Sequence, residues 1–147
     1  MTLLDANILL HAYNSSAERH DDARRWLEGL LSGPGPVRVA WVTILAFLRI
    51  STNSRAYPYP LSPAEACEIV TEWFARPGFA SLEPGDRHWQ ILSGLMTTGQ
   101  CRGPLIMDAH LAALALEHGA TLATTDRDFA RFPGLRLIDP LSEAGTP

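Results

Sequence analysis

Apolar positions along this chain keep two different periods. Short apolar runs recur at Thr2–Asp5, Val37–Trp41, Phe79–Leu82, Ala120–Thr124 and Leu135–Ile138, each the length of a buried strand. Between them the spacing changes to three and four residues. Residues 6–14 continue from the first strand as a turn into a helix. Glu18–Leu31 carries Ala23, Trp26, Leu27, Leu30 and Leu31 at helical spacing until Gly33-Pro34-Gly35-Pro36 stops it. Ile44, Leu45, Phe47 and Leu48 predict a buried helix from Thr43 to near Asn53, with a loop over Ser54–Pro60. Ser62-Pro63-Ala64-Glu65 places Ser at an N-cap, Pro at N1 and Glu at N3 of a helix reaching about Ala75. Gly85–Thr98 is amphipathic through Trp89, Ile91, Leu92, Leu95 and Met96. Gly99–Pro104 interrupts, and Asp108–His118 forms an Ala/Leu helix closed by Gly119.

Strands alternating with helices of this length predict an α/β fold, with a parallel sheet covered by helices on both faces. No repeat or linker divides the chain. One domain over residues 1–140 is expected, with a flexible tail over 141–147. In such sheets ligands bind beyond the carboxyl ends of the strands. Asp5 and Asp126 both follow predicted strands, and Asp108 opens a helix able to abut that edge.

Composition narrows the partners. The 147 residues are 46% hydrophobic and 19% charged, enough for a real core. A net charge of −4 argues against a general electrostatic grip on nucleic acid. All 12 basic residues are arginine, however, which still permits local, bidentate recognition of phosphate. Cys67 and Cys101 have no zinc-ligand spacing and read as reduced thiols, a disulfide being the alternative. No segment approaches the ~20 apolar residues of a membrane span, and no basic, apolar leader opens the chain. A cytoplasmic protein without membrane attachment is expected.

The candidate chemistry lies in the acids. Asp5 ends the first apolar run, Asp108 stands in Ile106-Met107-Asp108-Ala109, and Asp126 with Asp128 follows Leu122-Ala123-Thr124-Thr125. Carboxylates beside a core cannot crowd together unless a cation neutralises them or some are protonated. Hard oxygen ligands suit Mg²⁺ or Mn²⁺, the ions of phosphodiester chemistry. Each acid also has a plain structural reading, as an Asx turn or a helix N-cap. Thr124 or Thr125 would orient a carboxylate or water, or simply pack as a β-branched residue. Arg49 would meet a phosphate or a carboxylate, or lie on a helix surface. His110 points away from Asp108 on a helix, and the four tryptophans suit helix-to-sheet packing. There is no phosphate-binding G-x-x-x-x-G-K-[ST] loop or G-x-G-x-x-G turn. Phosphatases and receiver domains that rely on a lysine are poor fits to a chain without one.

Taken together, Leu3-Leu4-Asp5-Ala6-Asn7-Ile8-Leu9-Leu10, Asp108-Ala109-His110-Leu111-Ala112-Ala113-Leu114-Ala115, Thr125-Asp126-Arg127-Asp128-Phe129 and Phe132-Pro133-Gly134-Leu135 resemble a PIN domain, and within it the VapC-type toxins of bacterial toxin–antitoxin pairs. Leu48-Arg49-Ile50-Ser51-Thr52-Asn53-Ser54-Arg55 resembles the F-[LIV]-R-x-x-T-N-x-R segment of one VapC branch. The resemblance implies a three-layer α/β/α sandwich with four to five parallel strands and a Mg²⁺- or Mn²⁺-dependent endoribonuclease. It implies Asp5, Asp108 and Asp126 as catalytic and metal-binding residues, with Asp128 a further metal ligand. Asn7, Arg49, Arg55 and Thr125 are expected at the substrate. A VapB-like antitoxin, RNA and a second copy in a homodimer are the implied partners. One departure stands out: Ala46 occupies a position where many PIN nucleases carry glutamate. A catalytically weak RNA-binding or partner-binding module is the alternative.

Overall fold

Five short strands order the molecule. The computed structural model describes residues 1–142. Its strands are β1 (Thr2–Leu4), β2 (Val37–Val39), β3 (Phe79–Ser81), β4 (Thr121–Ala123) and β5 (Arg136–Ile138). They pair in parallel in the order β3-β2-β1-β4-β5. Six α-helices connect them: α1 (Ala6–Tyr13), α2 (His20–Ser32), α3 (Trp41–Ser51), α4 (Pro63–Ala75), α5 (His88–Gly99) and α6 (Leu105–His118). A short 3-10 helix spans Arg127–Arg131.

Strand alternation builds two apolar layers. Leu4 lies in register with Val39 on one side and Ala123 on the other. These three enter one layer with Leu9, Leu27, Phe47 and Trp73 from α1–α4. Leu3 and its partner Leu122 face the opposite layer, with Leu95 of α5, the Leu111–Ala115 stretch of α6, Phe129 and Phe132. The result is the expected α/β/α sandwich. From β1 the chain winds outward through β2 to β3, then returns to add β4 and β5 on the other flank. The switch point therefore falls between β1 and β4, where such sheets bind ligands.

Several expectations shift. β2 ends at Val39 rather than Trp41, because the Ala40 carbonyl accepts the amides of Thr43 and Ile44 and starts α3 early. Similarly, the amides of Leu105, Ile106 and Met107 pair with the carbonyls of Arg102, Gly103 and Pro104. Asp108 therefore sits inside the first turn of α6 instead of opening it. The expected capping box forms at Ser62 and Glu65. Of the tryptophans, Trp73 is buried and donates to the Tyr13 hydroxyl at 2.9 Å, whereas Trp41 and Trp89 are exposed. The supposed tail begins in the core: Leu141 is buried in the α1–α4 layer, and its amide donates to Asp139 Oδ1 at 3.0 Å. The rest of that segment, residues 143–147, lies outside the described residues. Cys67 and Cys101 are both free thiols. Among the described residues no helix is long and apolar enough to cross a membrane.

Candidate active site

The carboxyl ends of β1 and β4 are tied by one hydroxyl. Asp5 continues β1 by one residue, and its amide donates to the Ala123 carbonyl at 3.0 Å. Thr124 is the next residue of β4, and its Oγ1 donates to Asp5 Oδ2 at 2.8 Å. Alternation turns Asp5 and Thr124 to the same side as Leu3 and Leu122, which is the side of α6 and hence of Asp108. Thr124 Oγ1 also accepts the Asp126 amide at 3.0 Å and an Asn7 Nδ2 proton at 3.2 Å. Asn7 Nδ2 lies 3.3 Å from Asp5 Oδ2, and its Oδ1 accepts the Thr125 amide at 3.3 Å.

Three further carboxylates converge beside this tie. Asp108, Asp126 and Asp128 each offer an oxygen within 4.8 Å of the others. Capping and clustering coexist here. Asp126 is the N-cap of the 3-10 helix and accepts the Asp128 amide at 2.9 Å, and Asp5 caps α1 through Ala6 at 2.7 Å. Burial pushes the Asp5 carboxyl above its ordinary range, and the Thr124 and Ala6 hydrogen bonds oppose that rise. Asp108 is raised to about 6, first by burial and then by repulsion from Asp126, Asp5 and Asp128, with Arg131 the one opposing charge.

A cleft of about 400 Å³ opens against this cluster between α3 and α6. Asp5 and Asp108 line it, together with Ala46 and Arg49, so the departure at Ala46 lies on the same cleft as these two acids. Thr43 adjoins the same cleft, and its buried hydroxyl has no partner among the described residues. Arg55 does not line the cleft. It lies exposed in the turn after α3, where its amide donates to Asn53 Oδ1 at 3.0 Å. Thr125 contributes its amide rather than a hydroxyl, and Thr124 takes the orienting role. Arg131 was not singled out by sequence, although its spacing from Asp128 on a short helix was a usable signal. His110 turns to α5 and meets His88 Nε2 through Nδ1 at 3.0 Å.

A family model for the PIN domain matches residues 2–135. The chain belongs to the PIN domain family. Ribonuclease VapC37 of Mycobacterium tuberculosis is 43% identical over 140 residues, covering 95% of this chain and 97% of the relative. The fold resembles VapBC-1 from nontypeable Haemophilus influenzae with a TM-score of 0.68 at 18% identity, covering 96% of this chain and 98% of the other. A toxin–antitoxin complex from Klebsiella pneumoniae gives 0.63 at 21% identity, covering 95% and 98%. In this PIN domain the acids at the sheet's switch point supply oxygen donors only. Among the described residues no other group of three His, Cys, Asp or Glu side chains converges as closely. A donor set of crowded carboxylates, one of them raised to about 6 by burial and by its acidic neighbours, fits a hard divalent cation.

Proposed function

We propose that this chain is an endoribonuclease dependent on Mg²⁺ or Mn²⁺, acting as the toxin of a VapBC-type pair. The convergence of Asp108, Asp126 and Asp128 beside the Asp5–Thr124 tie is the observation that carries the reading. Asp5, Asp108, Asp126 and Asp128 would hold the cation. When bound, it supplies a Lewis acid that neutralises charge on phosphate and acidifies water. Thr124 and Ala6 fix both oxygens of the Asp5 carboxylate, so it need not reorganise as charge develops. Asp108, raised to about 6, would bind the cation in its ionised form, so that cation uptake below about pH 6 would be linked to proton release. Arg49, in the cleft beside Asp5 and Asp108, binds a phosphate oxygen of the RNA.

The relative VapC37 is named as a ribonuclease, and the fold neighbours are toxin–antitoxin assemblies. Both support a VapB-like antitoxin as the partner, and the working unit proposed for the toxin is a homodimer. An arginine from such a partner would pair with the carboxylates and exclude the cation. The deciding experiment is RNA hydrolysis by the purified chain in Mg²⁺ or Mn²⁺. Activity should disappear in EDTA and in Asp5→Asn and Asp108→Asn. RNA binding without cleavage, unchanged by EDTA and by Asp5→Asn, would identify a binding module instead.

A further inference from the structure

The cleft between α3 and α6 has walls that metal chemistry does not require. Val42, Leu45, Ala46 and Arg49 stand at i, i+3, i+4 and i+7 on one face of α3, and Met107 and Leu111 reach it from α6. A cation held at the acids would need only their charge, yet most of this lining is aliphatic. Leu45 is 60% and Met107 50% exposed. They are large apolar side chains left in water beside the acids. Arg49 forms no ion pair or hydrogen bond through its guanidinium among the described residues. Its positive charge complements a polyanion.

We propose that this cleft is a nucleobase pocket, receiving the base of the nucleotide whose phosphate lies at the acid cluster, with Arg49 meeting an adjoining phosphate. The inference rests on the ribonuclease reading above. A flat, weakly polar base can lie against aliphatic side chains and cover Leu45 and Met107. A volume of about 400 Å³ is in the range of sites for small molecules. The absence of a longer side chain at Ala46 keeps the space open next to Asp5, making Ala46 the specificity-determining position.

The test uses the full chain in Mg²⁺, titrated with each common nucleoside 5′-monophosphate and with ribose 5-phosphate, which has no base. Methyl resonances of Leu45, Met107 and Leu111 are followed by NMR. At least one nucleotide should shift these methyls and bind about tenfold tighter than ribose 5-phosphate, a factor of ten being ~1.4 kcal/mol. Ala46→Phe should remove that advantage while changing Mn²⁺ affinity by less than about twofold. Ribose 5-phosphate binding as tightly as every nucleotide would overturn the pocket, and so would nucleotides that leave the methyls unmoved. A basic, leucine-containing peptide that shifts the methyls when no nucleotide does would also overturn it, assigning the cleft to a protein partner. Should Ala46→Phe fail to fold, the comparison on the wild type decides alone. RNA hydrolysis lost in Asp108→Asn, together with base-independent binding, removes the pocket and keeps the nuclease. Base-dependent binding without any hydrolysis does the reverse.

Discussion

The hydroxyl of Thr124 donates to Asp5 and accepts from the Asp126 amide, so one oxygen couples two of the acids proposed to hold the cation. Replacing it with Val leaves the Asp126 amide and the inner oxygen of Asp5 short of a partner. Thr124→Val should cost about 1–3 kcal/mol of stability and weaken Mn²⁺ binding by about tenfold or more. Thr124→Ser should restore both. Calorimetric titration of the three proteins checks this, and equal affinities would remove Thr124 from the site. Asp108 gives a pH test. Its carboxyl is raised from 3.8 to about 6 in the folded chain. Between those values the folded state keeps a proton that the unfolded state has released, so the cation-free fold loses stability as pH rises from 3.8 to about 6 and stays less stable above it. In EDTA at pH 7.5, Asp108→Asn should therefore melt a few degrees above the wild type, at roughly 2–4 °C per kcal/mol. The gap should close as pH falls from 6 toward 3.8. A gap independent of pH would show that the repulsion is not felt at Asp108.

At the scale of elements, α6 and β4 carry Asp108 and Thr124 into the same site, and the joint between them sets their spacing. Gly119 closes α6 with φ 67°, its amide returning to the Ala115 carbonyl. An added Cβ would find room, with only Arg136 Nη2 at 4.0 Å, so the backbone conformation itself disfavours a side chain. Gly119→Ala should lower unfolding free energy by about 1 kcal/mol through the left-handed conformation alone, read as an earlier urea midpoint with an unchanged slope. RNA cleavage per folded molecule should stay at the wild-type rate. A large loss of activity would mean that the joint, and not only the helix end, shapes the site.

For the whole molecule, the acid cluster makes the fold depend on what neutralises it. A cation that binds the folded chain alone stabilises it by mass action, about 2.7 kcal/mol at a hundred times its dissociation constant. For a chain of this size that is roughly 5–10 °C in melting temperature. Mn²⁺ should give a rise of this order in the wild type and much less in Asp5→Asn and Asp108→Asn. Identical rises in all three would place the ion elsewhere. A bound antitoxin should substitute for the ion. The complex made by co-expression should melt above the free chain in EDTA and leave RNA intact, whereas cleavage at the free chain's rate would exclude occlusion of the cleft.

What the sequence determined by itself was local. Period and breakers placed the five strands and six α-helices of the described residues, Ser62 and Glu65 announced their capping box, and Gly119 its helix end. The acids could be placed at strand ends because an apolar run of strand length must stop where polar residues begin. Tertiary structure decided which side chains meet. Thr124 and Asp5 are 119 residues apart, and they touch only because β1 and β4 are neighbours in register. The same pairing brings the Asp126–Asp128 turn to α6, so Arg131 opposes the charge of the acids while Arg55, prominent in the motif, stands outside the cleft. Leu141 followed the last strand and read as tail, yet the layer of α1–α4 had space for its side chain. Local period and sterics act within a few residues and are written in the chain. Sheet order and register arise from burying both faces at once, and no single stretch of sequence carries that information.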